Sequence, residues 1–272
     1  MKLKLNWESA LLALLIVEIL LFGALNPRML DLNMLLFSTS DFICIGIVAL
    51  PLTLVIISGG IDISLGSTIG LCAIALGVMT QAGWPLWLAV SLTLLLGLLC
   101  GLFNAALIHY TGISPLVITL GTLYLYGGGA LLLSGMAGAT GYEGIGGFPD
   151  SFTAFANLTL AGLPLPLVLV SYFGSARSDL GRDLLMPALT AAVLGGANIY
   201  GGSGSILGTA LAALLVGYLQ QGLQMVGIPN QVSSALSGAL LVVVVMGRSL
   251  SLHREWVRAT WRRLFSHKTI GA

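Results

Sequence analysis

The chain has 272 residues, of which 57% are hydrophobic and 8% charged, with a formal net charge of +1 and a mean hydropathy of +1.01. So few charges cannot cover the surface of a soluble domain, and so small a net charge gives a nucleic acid nothing to bind. A bilayer crossing takes about 20 apolar residues, and the sequence supplies several such stretches, so the fold expected is all-α, a polytopic membrane helix bundle forming one transmembrane domain over 1–272.

The first apolar run, residues 9–25, follows Met1, Lys2, Leu3 and Lys4. It lacks the small-x-small cleavage site of a secretory signal, so it reads as a retained helix, stopped by Asn26 and Pro27. Glu18 inside it has no evident role. Residues 42–57 form a second span, which tolerates Pro51 as membrane helices do when neighbours satisfy the freed carbonyl. Residues 66–81 form a third. Trp84 and Trp87 beside Pro85 mark a water interface before the fourth, residues 86–108. His109 to Gly112 then turn the chain into a fifth, residues 115–133.

Next comes a glycine-rich stretch, residues 134–157, which carries Glu143 and Asp150 but no base and by charge belongs outside. Residues 158–173 are apolar but short for a span and contain Pro164 and Pro166. Polar residues 174–183 form another outside loop, and three last spans cover 184–199, 206–226 and 232–246. Cys44, Cys72 and Cys100 all lie inside apolar runs and read as small buried hydrophobes.

Lys2, Lys4 and Arg28 sit at one end of the chain, and Arg248, Arg254, Arg258, Arg262, Arg263 and Lys268 at the other. Both termini are therefore expected in the cytosol, with residues 248–272 a basic tail. Its residues 252–265 suit a surface helix, with Arg254, Arg258 and Arg262 on one side and Val257, Trp261 and Leu264 on another. Two cytosolic ends demand an even number of crossings, yet nine spans are visible. The weakest is 158–173. Splitting it into the start of one span and the end of another, with a missing segment between about 163 and 171, restores ten.

Two glycine-rich breaks resemble each other: GGIDISLGS at 59–67 and GGANIYGGS at 195–203 share Gly, Gly, Ile, Gly and Ser at one offset, with Asp62 aligned to Asn198. Each precedes a small-xxx-small helix start, Gly66 with Gly70 and Gly204 with Gly208, a spacing that lets helix backbones approach closely. Paired interrupted segments point to a transport pathway, because unwound backbone at membrane depth survives only beside protein or a polar cavity. The translocation-path candidates are therefore Gly59, Gly60, Asp62, Ser64, Asn104, Gly195, Gly196 and Asn198. Asp62 also suits a cap on the helix that begins near Ser64. Asn104, Asn198, Gln220, Gln221 and Gln224 suit interhelical hydrogen bonds as well as a polar path.

No phosphate-binding loop is present, since no glycine is followed by lysine, and no metal-ligand spacing, nucleophile elbow or charged triad occurs. The chain offers no catalytic residue.

Three blocks carry a resemblance: LVIISGGIDISLGS at 54–67, NAALIHYTGISPLVITLGTLYLYGG at 104–128 and LTAAVLGGANIYGGSGSILGTALAALLVGYLQQGLQMVGI at 189–228. In that order they resemble the permease family of ribose and related sugar ABC importers. The resemblance implies an inner-membrane permease for a small polar, sugar-like solute, paired with a homologous second permease chain. It implies two copies of an ATP-binding subunit, which hold the ATP and Mg, and a periplasmic solute-binding protein. It further implies alternating access driven by ATP. The sequence departs from the family in one respect: between the sixth and seventh spans the family carries a basic cytosolic coupling loop, and here Leu163 to Leu167 run directly into Val168 to Phe173. An ATP-independent channel or secondary transporter is the competing class, for which paired broken helices serve equally well.

Overall fold

The computed structural model describes residues 6–138, 144–148, 152, 159–160, 163–164, 176–179 and 181–252. The apolar runs fold into α1 (Trp7–Leu25), α2 (Leu32–Ile57), α3 (Leu65–Gln81), α4 (Leu86–Thr111), α5 (Pro115–Met136), α6 (Arg182–Leu194), α7 (Ile206–Met225) and α8 (Asn230–Leu252). A 3-10 turn, Pro27–Leu30, joins α1 to α2. Two-residue strands β1 (Thr159–Leu160) and β2 (Leu163–Pro164) pair antiparallel. Helices α1, α4, α5 and α7 are each long and apolar enough to cross a membrane.

Side-chain capping sets several of these boundaries. Asn26 Oδ1 accepts from Arg28 N, and Asp31 Oδ1 accepts from Asn33 N, so the 3-10 turn and α2 each begin on a capped backbone donor. Helix α2 starts ten residues before the expected residue 42, because the Ser38 and Thr39 hydroxyls donate to Leu35 O at 3.1 and 2.9 Å and so satisfy themselves within the helix. At the other end of α6, Gly195 and Gly196 stop the helix at Leu194, five residues before the expected 199.

Contacts fix the helix directions. Glu8 meets Ser205 and the Phe22 ring fills the space beside Gly222, so α1 and α7 run parallel. Thr39 meets Tyr218 while Thr53 meets Thr209, so α2 runs antiparallel to both. Ile61 to Thr119 and Ser67 to Gly127 align α3 with α5, and Asn104 on Ser64 opposes α4 to α3. Helix α8 returns toward the end of α2, where Leu241 and Ile56 line one small cavity. The start of α1 and the end of α8 therefore share a face of the bundle.

The described part of one expected span is not helical. Residues 159–164 were expected within a span, but their described part is the β1–β2 hairpin, as Gly162, Pro164 and Pro166 disfavour helix. Among the described residues the α-helices number eight. The expected junction near 165–171 and the tail beyond 252 lie outside the described residues.

Residues 176–181 also differ from the expected outside loop. Ala176 exchanges backbone hydrogen bonds with Ile145 at 2.8 and 2.9 Å, and the segment then descends along α3 past Gly77, Gly70 and Gly66. Those glycines leave the groove it occupies. A Cβ on Gly66 would lie 2.8 Å from Gly181 O, and one on Gly70 would collide with Ser178 O.

One core gathers Leu52, Ile56, Ala188, Ala191 and Val216 between α2, α6 and α7, with Leu11, Leu15 and Phe22 of α1 against it. A second surrounds α3 through Ile74, Ala89, Ala130 and Phe148. The outer face of α4, with Leu94, Leu98 and Leu102 exposed, is the kind of surface that lipid covers.

Candidate functional site

Helix α2 ends where the first glycine break begins, and the chain reaches α3 through Asp62 and Ser64. Asp62 Oδ1 accepts from Ser64 N at 2.8 Å and from Ser64 Oγ at 2.6 Å, a turn that holds the start of α3. Ser64 Oγ in turn accepts from Asn104 Nδ2 of α4 at 2.9 Å. Tyr126 of α5 donates to Cys100 O at 2.9 Å and lies 3.3 Å from Asn104 Oδ1. Thr119 Oγ1 donates to Ile61 O and accepts from Ile63 N. Ser64, Asn104 and Thr119 are all buried. The unwound backbone of the first break is thus paired by Thr119 of α5, and its Ser64 side chain by Asn104 of α4, which is how irregular chain survives at membrane depth.

The two breaks touch. Gly202 N donates to Ile57 O at 2.8 Å, and a Cβ on Gly201 would stand 2.8 Å from the Gly59 Cα. Gly59 and Gly201 both have positive φ, 87° and 83°, which suits residues without a side chain. Beyond that contact the aligned residues part company. Asn198 is spent on its own loop, donating through Nδ2 to Gly201 O and accepting from Tyr200 N. Gly195 packs against Thr209 and Gly208 of α7, and Gly196 faces the Trp7 ring. Gly60 abuts Val55 and Pro115. Of the residues singled out in the sequence, Asp62, Ser64 and Asn104 therefore form one network, while Asn198 closes the second break on itself and Gly195 and Gly196 pack against α7 and Trp7.

The first turn of α1 is pinned to this second break. Trp7 Nε1 donates to Leu194 O at 2.8 Å, and Ser205 Oγ donates to Glu8 Oε1 at 2.7 Å while accepting from Gly208 N. Glu18, one face of α1 further on, is buried, and its Oε2 has no hydrogen-bond partner among the described residues.

Two cavities flank α3. One of about 530 Å³ lies between α2, α3 and α4, with Asp62 and Asn104 in a wall made mostly of Val48, Leu65, Ile69 and Leu94. The other, of about 380 Å³, lies between α3, α5 and the start of α6, where Ser67, Tyr124, Gly127, Gly128, Asp179 and Arg182 line it. Sequence reasoning missed this second group, since its members come from three separated segments and no spacing links them. Its one visible signal was Arg177 and Arg182, the first bases after a long stretch without Lys or Arg.

Comparison with known proteins bears on what such a bundle does. Residues 34–183 and 159–245 match the family described as branched-chain amino acid transport system / permease component. The chain is 81% identical to the autoinducer 2 import system permease protein LsrD of Klebsiella pneumoniae, over the whole of both chains. It is 75% identical to the protein of that name from an Enterobacter species, covering 94% of this chain and 96% of the relative. For the Escherichia coli O9:H4 protein the identity is 63%, covering 95% and 96%. No solved structure matches.

Proposed function

Since the chain belongs to the family of branched-chain amino acid transport system permease components, we propose that it is the membrane-spanning permease subunit of an ABC importer whose solute is autoinducer-2. The observation that carries the solute is the 81% identity, end to end, with a permease named for autoinducer 2 import. The bundle suits the role: its broken helices meet at the Gly202 to Ile57 contact, and polar networks lie inside an apolar exterior.

The partners belong to the same proposal. A homologous permease completes the pathway, two ATP-binding subunits hold ATP and Mg in the cytosol, and a periplasmic protein delivers the solute. Both chain ends then face the cytosol of a bacterial inner membrane, which the shared face of the α1 start and the α8 end supports. We further propose that relatives carry an internal segment near 163–171 that this chain lacks. The alignment with the Klebsiella protein runs over 332 positions, where this chain has 272 residues, which supports that reading.

Reconstitution of the permease pair with the ATPase and binding protein in vesicles tests the function. Solute-loaded binding protein should stimulate ATP hydrolysis and drive autoinducer-2 inward. Uptake without ATP would instead identify a channel or secondary carrier, and no uptake would overturn the proposal.

A further inference from the structure

Tyr124, Gly127 and Gly128 fall at the middle of the 22-residue helix α5. The cavity they line also receives Asp179 and Arg182, because the segment before α6 descends along the glycine groove of α3 as far as Gly66. Two charged side chains thus stand at the depth of the centre of a spanning helix. Asp179 is held by Arg177, whose Nε and Nη2 donate to its two oxygens at 2.9 and 2.7 Å. Arg182 makes no ion pair with any described residue, since the salt bridge found among them is Arg177 to Asp179.

Such a wall cannot face hydrocarbon. A charge in lipid is costly and turns to a water-filled path or to protein, and here no described residue covers the opening. Tyr124 is 73% exposed, and a Cβ on Gly128 would meet nothing within 4 Å. Gly66 and Gly127 present bare backbone to it, Ile63, Leu123 and Leu131 are apolar, and Ser67, Tyr124, Asp179 and Arg182 supply the polar groups. Small-solute sites have this composition, with a few placed polar groups on an otherwise apolar surface.

We propose that this cavity is a solute-binding station on the translocation path for a small, hydroxyl-rich ring compound. The Arg182 guanidinium donates to solute oxygens, the Asp179 carboxylate accepts from a hydroxyl on the side not used by Arg177, and the Tyr124 ring lies against the carbon face. The inference rests on the functional reading above and deepens it.

Accessibility of Ser67 tests it in the complete importer. A Ser67→Cys variant, made after Cys44, Cys72 and Cys100 are replaced by Ala, should react in membrane vesicles with a charged, water-soluble thiol reagent, and saturating autoinducer-2 should slow the reaction at least threefold. Leu98→Cys, on the exposed face of α4, should react only with a lipophilic reagent. Arg182→Gln should lower kcat/KM for uptake at least tenfold, mainly through KM, with Arg182→Lys recovering part of the loss. A Ser67→Cys that only the lipophilic reagent reaches, that no reagent reaches or that the solute leaves unprotected overturns the site, as does uptake at the unmodified rate by Arg182→Gln. The two failures are distinct. If the unmodified complex takes up no autoinducer-2 the functional reading falls, whereas a transporting complex with Ser67 sealed from the charged reagent removes only the cavity.

Discussion

Gly66 and Gly181 cross backbone against backbone: a methyl group added to Gly66 would stand 2.8 Å from the Gly181 carbonyl oxygen, and one added to Gly181 would run into Gly66 in turn. The segment entering α6 can lie on α3 only because neither residue carries a side chain.

Gly66→Ala or Gly181→Ala should therefore destabilise the bundle, by about 1–3 kcal/mol as overpacking does. Gly121→Ala in α5, where a Cβ would meet nothing within 4 Å, serves as the comparison and should hold the midpoint or raise it slightly, since Ala is the better helix former. Thermal denaturation in detergent, followed by intrinsic fluorescence, measures the difference. Equal midpoints for all three variants would show that the crossing relaxes.

Asn104→Ala removes the donor that reaches Ser64 Oγ and leaves the Tyr126 hydroxyl with Cys100 O alone. Loss of a buried partner costs about 1–3 kcal/mol, and the site sits where α3, α4 and α5 are tied to the first break. A lowered melting midpoint together with reduced uptake is expected. Unchanged stability would mean that water replaces the amide.

Thr53 and Thr209 meet at 2.9 Å in the core, and each hydroxyl also lies beside its own helix carbonyl, Ala49 O at 2.8 Å and Ser205 O at 3.0 Å. Replacing one by Val should cost about 1 kcal/mol, whereas replacing both should cost less than the sum, because no hydroxyl is then left facing a methyl. A double-mutant cycle on the melting midpoint reads the coupling, and strict additivity would rule the pair out as a linked unit.

Glu18→Met should raise the melting midpoint. The carboxyl is buried against the core with Oε2 unpaired among the described residues, and removing such a group recovers about 1–3 kcal/mol of desolvation. A lower midpoint in the assembled importer, but not in the isolated chain, would reveal a partner on another subunit.

Hydropathy alone was sufficient for α1, α4, α5 and α7, whose apolar runs are long and end at clear breaks such as Asn26 with Pro27 and Gly112. It failed where polar residues are satisfied inside a helix, as Ser38 and Thr39 are by Leu35 O, so the first ten residues of α2 passed for a loop. It failed again at 176–181, where the segment's place is decided by glycines about a hundred residues away in α3. Asp62, Ser64 and Asn104 stood out as polar residues near apolar runs, but their union is a product of helix packing. The cavity around Tyr124 and Arg182 needed three separate segments to be placed, and no local pattern encodes that.

The pinning of α1 by its first turn has a consequence for biogenesis. Trp7 and Glu8 leave the ribosome long before the groups that hold them, Leu194 O and Ser205 Oγ, which lie 187 and 197 residues downstream. Helix α1 thus waits unlatched while the next five helices are made, and the clasp closes only when the second glycine break emerges, so a nascent chain arrested before α6 carries an α1 still free for a quality-control protease to seize.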